Sequence, residues 1–323
     1  MNKKRQLVLA TFLSRTMYFG LGTSYIFHYG EKMTILSLTI GMILGYLVLK
    51  FLLIKNIKFF FKTKIGLIII LFLSFFLINN ALIAFSIMGS NFYLLKTPPL
   101  LIIIPLFILI LYGVKKGLKT ILRLSDILIF VSMIILVLIF TSIGHNIVFN
   151  NFLPLDFKIS RGFLNVIISS MAYSITPLLL ELAIVDRPDK KSIEKGYLLG
   201  SLSILLIVIY IVGIFGTDFA TRYRYPEYIL LKKINLFQEF LHLETFLAII
   251  WFNDLLITSL LAGFLIASYI KGNKLYIISV IHLLFNYLFF INNYQHTLLI
   301  YHYTIYVLLV PLLLTLFLSK KPS

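Results

Sequence analysis

The centre of the first long apolar segment reads Tyr18-Phe19-Gly20-Leu21-Gly22-Thr23. The segment runs from Gln6 to Phe27 and is long enough to cross a bilayer. Two glycines and a threonine loosen a helix at a depth where lipid requires every backbone group to be hydrogen-bonded. The sequence therefore predicts a membrane helix that is interrupted near its centre.

A second interruption is predicted in the sixth apolar segment, at Ser174-Ile175-Thr176-Pro177. Proline removes a backbone N–H and disrupts the helix around it. Interrupted helices at corresponding positions in two halves of a chain are typical of transporter binding sites. The alternative is that Gly20, Gly22 and Pro177 only permit close packing or a kink.

The composition indicates an all-α polytopic membrane protein. The chain has 323 residues, of which 60% are hydrophobic and 13% charged, and its mean hydropathy is +1.00. A soluble domain carries about twice that share of charge. Cysteine is absent, which excludes disulfides and cysteine-ligated metals. We see no phosphate loop, hydrolase triad, paired catalytic carboxylates or histidine spacing for a metal, and so predict neither an enzyme nor a cofactor.

We predict ten membrane spans within one transmembrane domain, residues 1–323. Their approximate bounds are 6–27, 33–53, 65–92, 98–113, 121–143, 162–186, 195–216, 243–270, 274–291 and 296–318. Because Arg15 interrupts the first apolar region and no small-x-small cleavage site follows, we expect a retained helix and not a signal peptide.

The net charge of +17 lies mostly in short loops between the spans, which argues for contact with lipid and against a nucleic-acid partner. One set of alternate loops holds 20 Lys and Arg residues and the other set holds 8. Cytoplasmic loops carry the excess of Lys and Arg. We therefore expect a multi-pass protein of the cell membrane with both termini in the cytoplasm.

Ten spans divide into two repeats of five, about 6–143 and about 162–318. An odd number of spans per repeat inserts the second repeat upside down relative to the first, which is the inverted-repeat condition. We detect this symmetry in the hydropathy and in the two interruptions, and find no residue-level repeat. An outer amphipathic segment is predicted at about 217–242, either as a lid or as an interfacial helix with no gating role.

The candidate solute-binding residues surround the two interruptions. They are Tyr18, Gly20, Gly22, Thr23, Tyr173, Ser174, Thr176 and Asn80. Half-helix N-termini favour a carboxylate, whereas freed carbonyl groups favour a cation or an ammonium, so an amino acid zwitterion would satisfy both. Asn80 and its neighbour Asn79 either line the cavity or form hydrogen bonds between helices.

Two charged residues are predicted deep inside spans, where charge is strongly disfavoured. Arg15 is either a fixed cation that holds a substrate carboxylate or replaces a coupling ion, or a structural charge that pairs with an acid or snorkels. Asp254 either forms a buried ion pair with Arg15, binds a coupling cation, or carries a proton.

Three further charged residues are candidates for an inner gate. Asp126 follows Arg123 by three residues, a spacing that places both on one helix face. Glu181 lies within two turns of Asp186 and Arg187. Pairing at the membrane interface is the alternative for both groups.

Several stretches, in this order along the chain, resemble the B-subunit family of spore germinant receptors (GerAB-like), within the amino acid–polyamine–organocation (APC) superfamily. They are Arg5-Gln6-Leu7 leading to Tyr18–Thr23, Gly117-Leu118-Lys119-Thr120-Ile121-Leu122-Arg123, Asp186-Arg187-Pro188-Asp189-Lys190-Lys191, Tyr225-Pro226, Leu243-Glu244 and Ile250-Trp251-Phe252. The sixth span departs from the glycine-rich break common among amino acid transporters and has Ser174–Pro177 instead.

The resemblance implies a LeuT-like fold in which a small amino acid-like nutrient lies between spans 1, 3, 6 and 8. In spore formers it also implies a complex with A- and C-type receptor subunits. Two functions follow: a germinant-receptor subunit, or a proton- or cation-coupled amino acid symporter. A drug/metabolite-type exporter also has ten spans in inverted halves, but would have continuous first and sixth helices.

Overall fold

The described part of the chain is entirely helical. The computed structural model describes residues 2–19, 21–55, 61, 63–153, 159–183, 188–223, 225–233, 243–270, 281, 284–285, 308–315 and 317. No strand occurs among these residues. Its α-helices are α1 (Lys3–Arg15), α2 (Leu21–Gly30), α3 (Thr34–Ile54), α4 (Lys64–Met88), α5 (Pro99–Lys116), α6 (Leu118–Ile143), α7 (Arg161–Ala172), α8 (Leu179–Ala183), α9 (Lys190–Phe215), α10 (Thr217–Ala220), α11 (Pro226–Lys233) and α12 (Leu243–Tyr269).

Seven helices within the described residues are long and apolar enough to cross a membrane. They correspond one to one with the second to eighth predicted spans, and the protein is therefore all-helical and membrane-embedded. The first predicted span is divided, because α1 has only 13 residues and is separated from α2. The ninth and tenth predicted spans lie mostly outside the described residues, which include only 281, 284–285, 308–315 and 317 of them.

The first apolar segment is interrupted where the sequence predicts it. Helix α1 ends at Arg15, and a turn follows over residues 16–19 before α2 begins at Leu21. The backbone N–H of Thr16 still donates to the Phe12 carbonyl at 3.1 Å, whereas that of Tyr18 donates to the Arg15 carbonyl at 2.9 Å. This shift from an i−4 to an i−3 acceptor ends the α-helical ladder.

The sixth apolar segment is interrupted by a change of helix type. Helix α7 is followed by a 3₁₀ segment, Tyr173–Leu178, which leads directly into α8. Pro177 lies inside this segment and has no N–H to donate. The predicted break is therefore a tighter helical turn, with poorer hydrogen-bond geometry than an α-helix.

Two glycine pairs allow close approach to the interrupted segments. Gly41 and Gly45 of α3 lie against the sixth segment, where a Cβ added at Gly41 would be 2.6 Å from the Ser170 Cβ. Gly196 and Gly200 of α9 lie against α1. Each pair is a G-x-x-x-G motif, whose small residues let backbones meet closely in membranes. We call these two contacts the glycine seams; they are a residue-level repeat that the sequence analysis missed.

Helix α12 lies at the centre of the described bundle. It packs against α4, α5, α6 and α1, and its side chains from Trp251 to Asp254 are mostly buried. An apolar helix that is buried on nearly all sides is typical of a core element rather than a lipid-facing one. This placement brings the polar residues of α12 against the interruption of the first segment.

The segment at 217–242, predicted either as a lid or as an interfacial helix with no gating role, is described in part. It contains α10 and α11, and residues 234–242 lie outside the described residues. The side chains of Glu227, Tyr228, Leu230 and Leu231 on α11 are at most 6% exposed. Helix α11 is thus packed into the bundle, where its apolar residues contact the side chains of other helices.

A substitution in the second glycine seam should separate α9 from α1. In Gly200→Val, the added Cβ would lie 1.9 Å from Ser14 Oγ and 2.8 Å from the Thr11 carbonyl oxygen. We expect a loss of about 1–3 kcal/mol of stability from overpacking, measured by thermal unfolding in detergent. Leu199→Val, at a neighbouring position that is 48% exposed, is the matched control. Equal stability of the two variants would contradict the seam.

Candidate functional site

A fully buried ion pair lies beside the interruption of the first segment. Nη2 of Arg15 donates to Oδ1 of Asp254 at 2.6 Å, and both side chains are 0% exposed. Arg15 is the last residue of α1, and Asp254 lies in the middle of α12. Of the alternatives that the sequence left open for these two residues, the structure adopts the mutual pair.

Neighbouring groups hold the end of α1 against α12. The hydroxyls of Thr16 and Thr258 share a hydrogen bond of 2.5 Å, and Thr16 Oγ1 is 3.3 Å from the Asp254 carbonyl oxygen. The Arg15 guanidinium carbon lies 5.4 Å from the Phe12 ring centroid and 6.0 Å from that of Phe19. Both rings are within the range of cation–π attraction.

The ion pair leaves part of its hydrogen-bonding capacity unused. Arg15 Nε and Nη1, Asp254 Oδ2 and Trp251 Nε1 are buried and have no hydrogen-bond partner among the described residues. Trp251 precedes Asp254 by three residues, a spacing that places both on one face of α12. The three N–H groups suit a carboxylate and the free oxygen suits an ammonium. The chemistry of this group therefore fits a zwitterion.

The two interruptions meet in the structure. The rings of Tyr18 and Tyr173 are 4.9 Å apart in an edge-to-face arrangement, and Tyr18 Oη donates to the Ser170 carbonyl at 3.3 Å. Thr176 Oγ1 donates to the Leu13 carbonyl at 2.7 Å. The sequence placed these residues at separate breaks, and the fold joins them.

The hydroxyls predicted at the sixth segment are largely used by the protein itself. Ser174 Oγ donates to the Met171 carbonyl at 2.7 Å, and Thr176 donates to Leu13 as described. Because a hydroxyl has a single proton to donate, these two side chains can offer a ligand only their oxygen lone pairs. Gly22 lies in the first turn of α2, and Gly20 lies outside the described residues.

Asn80 reaches the first interruption from α4. Its Nδ2 is 3.7 Å from the Met17 sulfur, and the side chain is 8% exposed. Asn79 instead donates to the Phe75 carbonyl of its own helix at 2.9 Å. Of the predicted asparagine pair, Asn80 is thus the member that joins the residues around the break.

On the side of the first interruption that is away from the start of α1, a buried contact joins α2 to α11. Thr23 Oγ1 donates to Oε1 of Glu227 at 2.5 Å, and Glu227 is 1% exposed. On the same element, the Tyr228 ring stacks on Phe92 at 3.8 Å. We call this set the α11 closure. The sequence analysis missed Glu227, although a lone acid among apolar residues at helical spacing was a usable signal.

Ion pairs close the opposite end, where α1 begins. Arg5 Nε donates to Oδ2 of Asp126 at 2.7 Å, and Lys3 lies 3.9 Å from Asp189. The backbone N–H of Asp189 donates to Gln6 Oε1 at 2.6 Å. A hydrogen bond from Ser192 holds the pKa of Asp189 below its usual range. We call these contacts the amino-terminal closure.

The predicted partner of Asp126 is therefore wrong. Arg123 is exposed and forms no ion pair with any described residue, whereas Arg5 takes the carboxylate. Spacing along one helix does not reveal a cation that another helix brings closer. Glu181, the third inner candidate, is 4% exposed on α8, and its suggested partners Asp186 and Arg187 lie outside the described residues.

Breaking the buried pair should destabilise the protein more than removing it. Arg15→Met or Asp254→Leu alone leaves one buried charge unpaired. We expect each single variant to lower the free energy of unfolding by about 3–5 kcal/mol. The double variant should regain most of that loss because neither charge remains. A double-mutant cycle on thermal unfolding measures the coupling, and additive effects of the two substitutions would contradict the pair.

Comparison with known proteins does not indicate a function for this chain, so the function is inferred from the geometry of the site. No family model matches the chain and no curated protein matches it. Three features of the described residues bear on function: the buried ion pair, the meeting of the two interruptions, and a closure at each end of the bundle.

Proposed function

We propose that this membrane-embedded chain binds a small amino acid-like solute at the meeting point of its two interrupted segments and acts as a germinant-receptor subunit of the spore germination permease type. The observation that carries the proposal is the meeting of the two breaks beside a buried ion pair with unused donors and acceptors. In this proposal Arg15 and Trp251 hold the solute carboxylate, and the free oxygen of Asp254 accepts from its ammonium.

The packing of the glycine seams supports a LeuT-like arrangement with two inverted repeats. The second span, α3, packs on the interrupted sixth segment, and the seventh, α9, packs on the interrupted first. These are equivalent pairs if spans 1–5 correspond to spans 6–10. The glycines begin eight residues into α3 and seven residues into α9, so the correspondence extends to sequence position.

The two closures support a solute site that opens alternately to the two sides. Each closure consists of polar contacts between elements, and neither contact involves the central pair. Releasing one while the other persists would expose the site to one side only, as the rocking of inverted repeats requires. In this proposal the amino-terminal closure faces the cytoplasm together with both termini, and A- and C-type subunits are the partners that detect the movement.

A second candidate function, a proton- or cation-coupled amino acid symporter, is favoured by one observation. Asp254 is a fully buried carboxylate, and no described residue donates a hydrogen bond to its Oδ2. A buried acid facing a transport site is typical of proton relays and ion sites in membrane proteins. The two functions differ in whether the charge of Asp254 is needed for solute to accumulate.

Filling the first interruption should abolish solute binding. In Gly22→Leu, a bulky side chain enters the first turn of α2 next to the break, and we expect the folded protein to lose its stabilisation by any of the twenty amino acids. At 100 times the dissociation constant, a ligand stabilises a native protein by about 2.7 kcal/mol. Thermal unfolding with each amino acid measures this effect.

Gly144→Leu is the matched control for that substitution. A Cβ added at Gly144 would stay 3.4 Å from Tyr210 Oη, far from either break, so this variant should respond to the amino acids as the original chain does. Undiminished stabilisation of Gly22→Leu by an amino acid that stabilises the original chain would refute the site.

Uptake into proteoliposomes separates the two candidate functions. Asp254→Asn keeps a side chain of the same shape beside Arg15 but removes the charge. In a symporter, gradient-driven accumulation by this variant should be at least about tenfold lower than by the original chain, because the coupling group is gone. The variant should still bind solute. Uptake that is normalised to folded protein and unchanged in Asp254→Asn would eliminate coupling at this residue, whereas the lack of gradient-driven accumulation by the original chain would favour the receptor subunit.

A further inference from the structure

Two adjoining cavities lie at the end of the bundle where α3 begins and α9 ends. One, of about 630 Å³, has apolar walls that include Leu36, Leu153 and Phe215. The other, of about 580 Å³, is lined mainly by polar groups. Both include Lys32 and Asp218 in their linings. Each volume is within the range of about 300–1,000 Å³ found for small-molecule sites.

The arrangement of apolar and polar walls matches an amphiphile. An apolar cavity that continues into a polar one across shared charged residues can hold a hydrocarbon chain on one side and a headgroup on the other. Leu36 is 38% exposed and Leu153 is 67% exposed, as expected for residues that face lipid. The apolar cavity is thus accessible to an acyl chain from the bilayer.

The neighbouring aromatic residues place the cavities at headgroup depth. Phe219 lies 6.2 Å from Phe215 and 5.4 Å from Tyr223, measured between ring centroids. The Arg222 guanidinium carbon lies 5.8 Å from the Phe219 centroid. Aromatic residues are enriched at the membrane–water interface, and arginine extends its charge from there into the headgroups.

The charged residues of the cavities are of both signs. Lys32 and Asp218 line both cavities, Arg222 lines only the apolar cavity, and Glu31 lines only the polar one. None of the four forms an ion pair within 4.0 Å with any residue that the structure describes. A phosphate and an ammonium, held a few bonds apart, would each find a partner of opposite charge here.

We infer that these two cavities together bind a phospholipid whose headgroup carries a phosphate and a primary ammonium, as in phosphatidylethanolamine. Lys32 and Arg222 hold the phosphate, Asp218 and Glu31 accept from the ammonium, and an acyl chain lies along Leu36 and Phe215. Phosphatidylglycerol lacks the ammonium, and phosphatidylcholine has no N–H to donate. The site lies at the ends of α2 and α7 that are away from the two interruptions, and it does not depend on the proposed function.

Lipid retention by the purified full-length chain tests this site. Native mass spectrometry in detergent, with phosphatidylethanolamine, phosphatidylcholine and phosphatidylglycerol at equal concentration, should show preferential retention of phosphatidylethanolamine. We expect about a tenfold preference, since a hydrogen bond between charged groups contributes that much or more to affinity. Equal retention of the three lipids would overturn the inference.

Two surface substitutions separate the roles of the charges. Lys32→Gln should weaken phosphatidylethanolamine and phosphatidylglycerol alike, because both have the phosphate. Asp218→Asn should lower the preference for phosphatidylethanolamine, since only Glu31 then remains to accept from the ammonium, and should leave phosphatidylglycerol undiminished. Both residues are exposed, so these variants should fold. A preference that is unchanged in Asp218→Asn would contradict the ammonium site.

Lys96→Gln is the control for net charge. Lys96 is exposed on the loop between α4 and α5 and does not line either cavity. Its substitution should therefore leave lipid retention unchanged. An effect equal to that of Lys32→Gln would indicate a general effect of net charge and overturn the site. Glycerophosphoethanolamine, which lacks acyl chains, should not displace the lipid at equal concentration. Displacement by this soluble compound would show that the site binds a soluble phosphate compound and not a phospholipid, and would refute the inference.

Discussion

The ion pair between Arg15 and Asp254 is the constraint on which the arrangement of the other helices depends. Either charge alone at the centre of a membrane helix is disfavoured by roughly 2.5–3.5 kcal/mol on insertion scales, and the two lie 239 residues apart in the chain. Joining them forces the end of α1 against the middle of α12. The first interruption is thereby held inside the bundle, where its backbone groups meet protein and not lipid.

Hydropathy was sufficient to predict the seven membrane-crossing helices of the described residues, and the positions of glycine and proline predicted both interruptions. It could not reveal the partner of Asp126, because Arg5 arrives from another helix, whereas the predicted Arg123 is near only in sequence. The glycine seams were visible in the sequence as two G-x-x-x-G motifs, but the sequence does not show which helices they contact. Glu227 was overlooked because an acid in a connecting segment is ordinarily solvated, and only the packing of α11 shows that it is buried.

The polar chemistry of the site also differs from what residue types alone indicate. The sequence analysis assigned ligand binding to freed backbone groups and to side chains around the two breaks, including the hydroxyls of Ser174 and Thr176. The Ser174 hydroxyl donates to the Met171 carbonyl and the Thr176 hydroxyl donates to the Leu13 carbonyl, so the protein itself uses both protons. The unused donors and acceptors are instead on Arg15, Asp254 and Trp251, where burial and a shared helix face, and not the breaks themselves, determine the chemistry.

The buried pair also determines how the protein responds to an electric field. Moving one elementary charge through a membrane potential changes the energy by about 2.3 kcal/mol per 100 mV. Arg15 and Asp254 travel together as a dipole of no net charge, and the contact of Arg5 with Asp126 is likewise neutral. A rocking motion that keeps the central pair intact therefore moves no net charge of these two residues through the field.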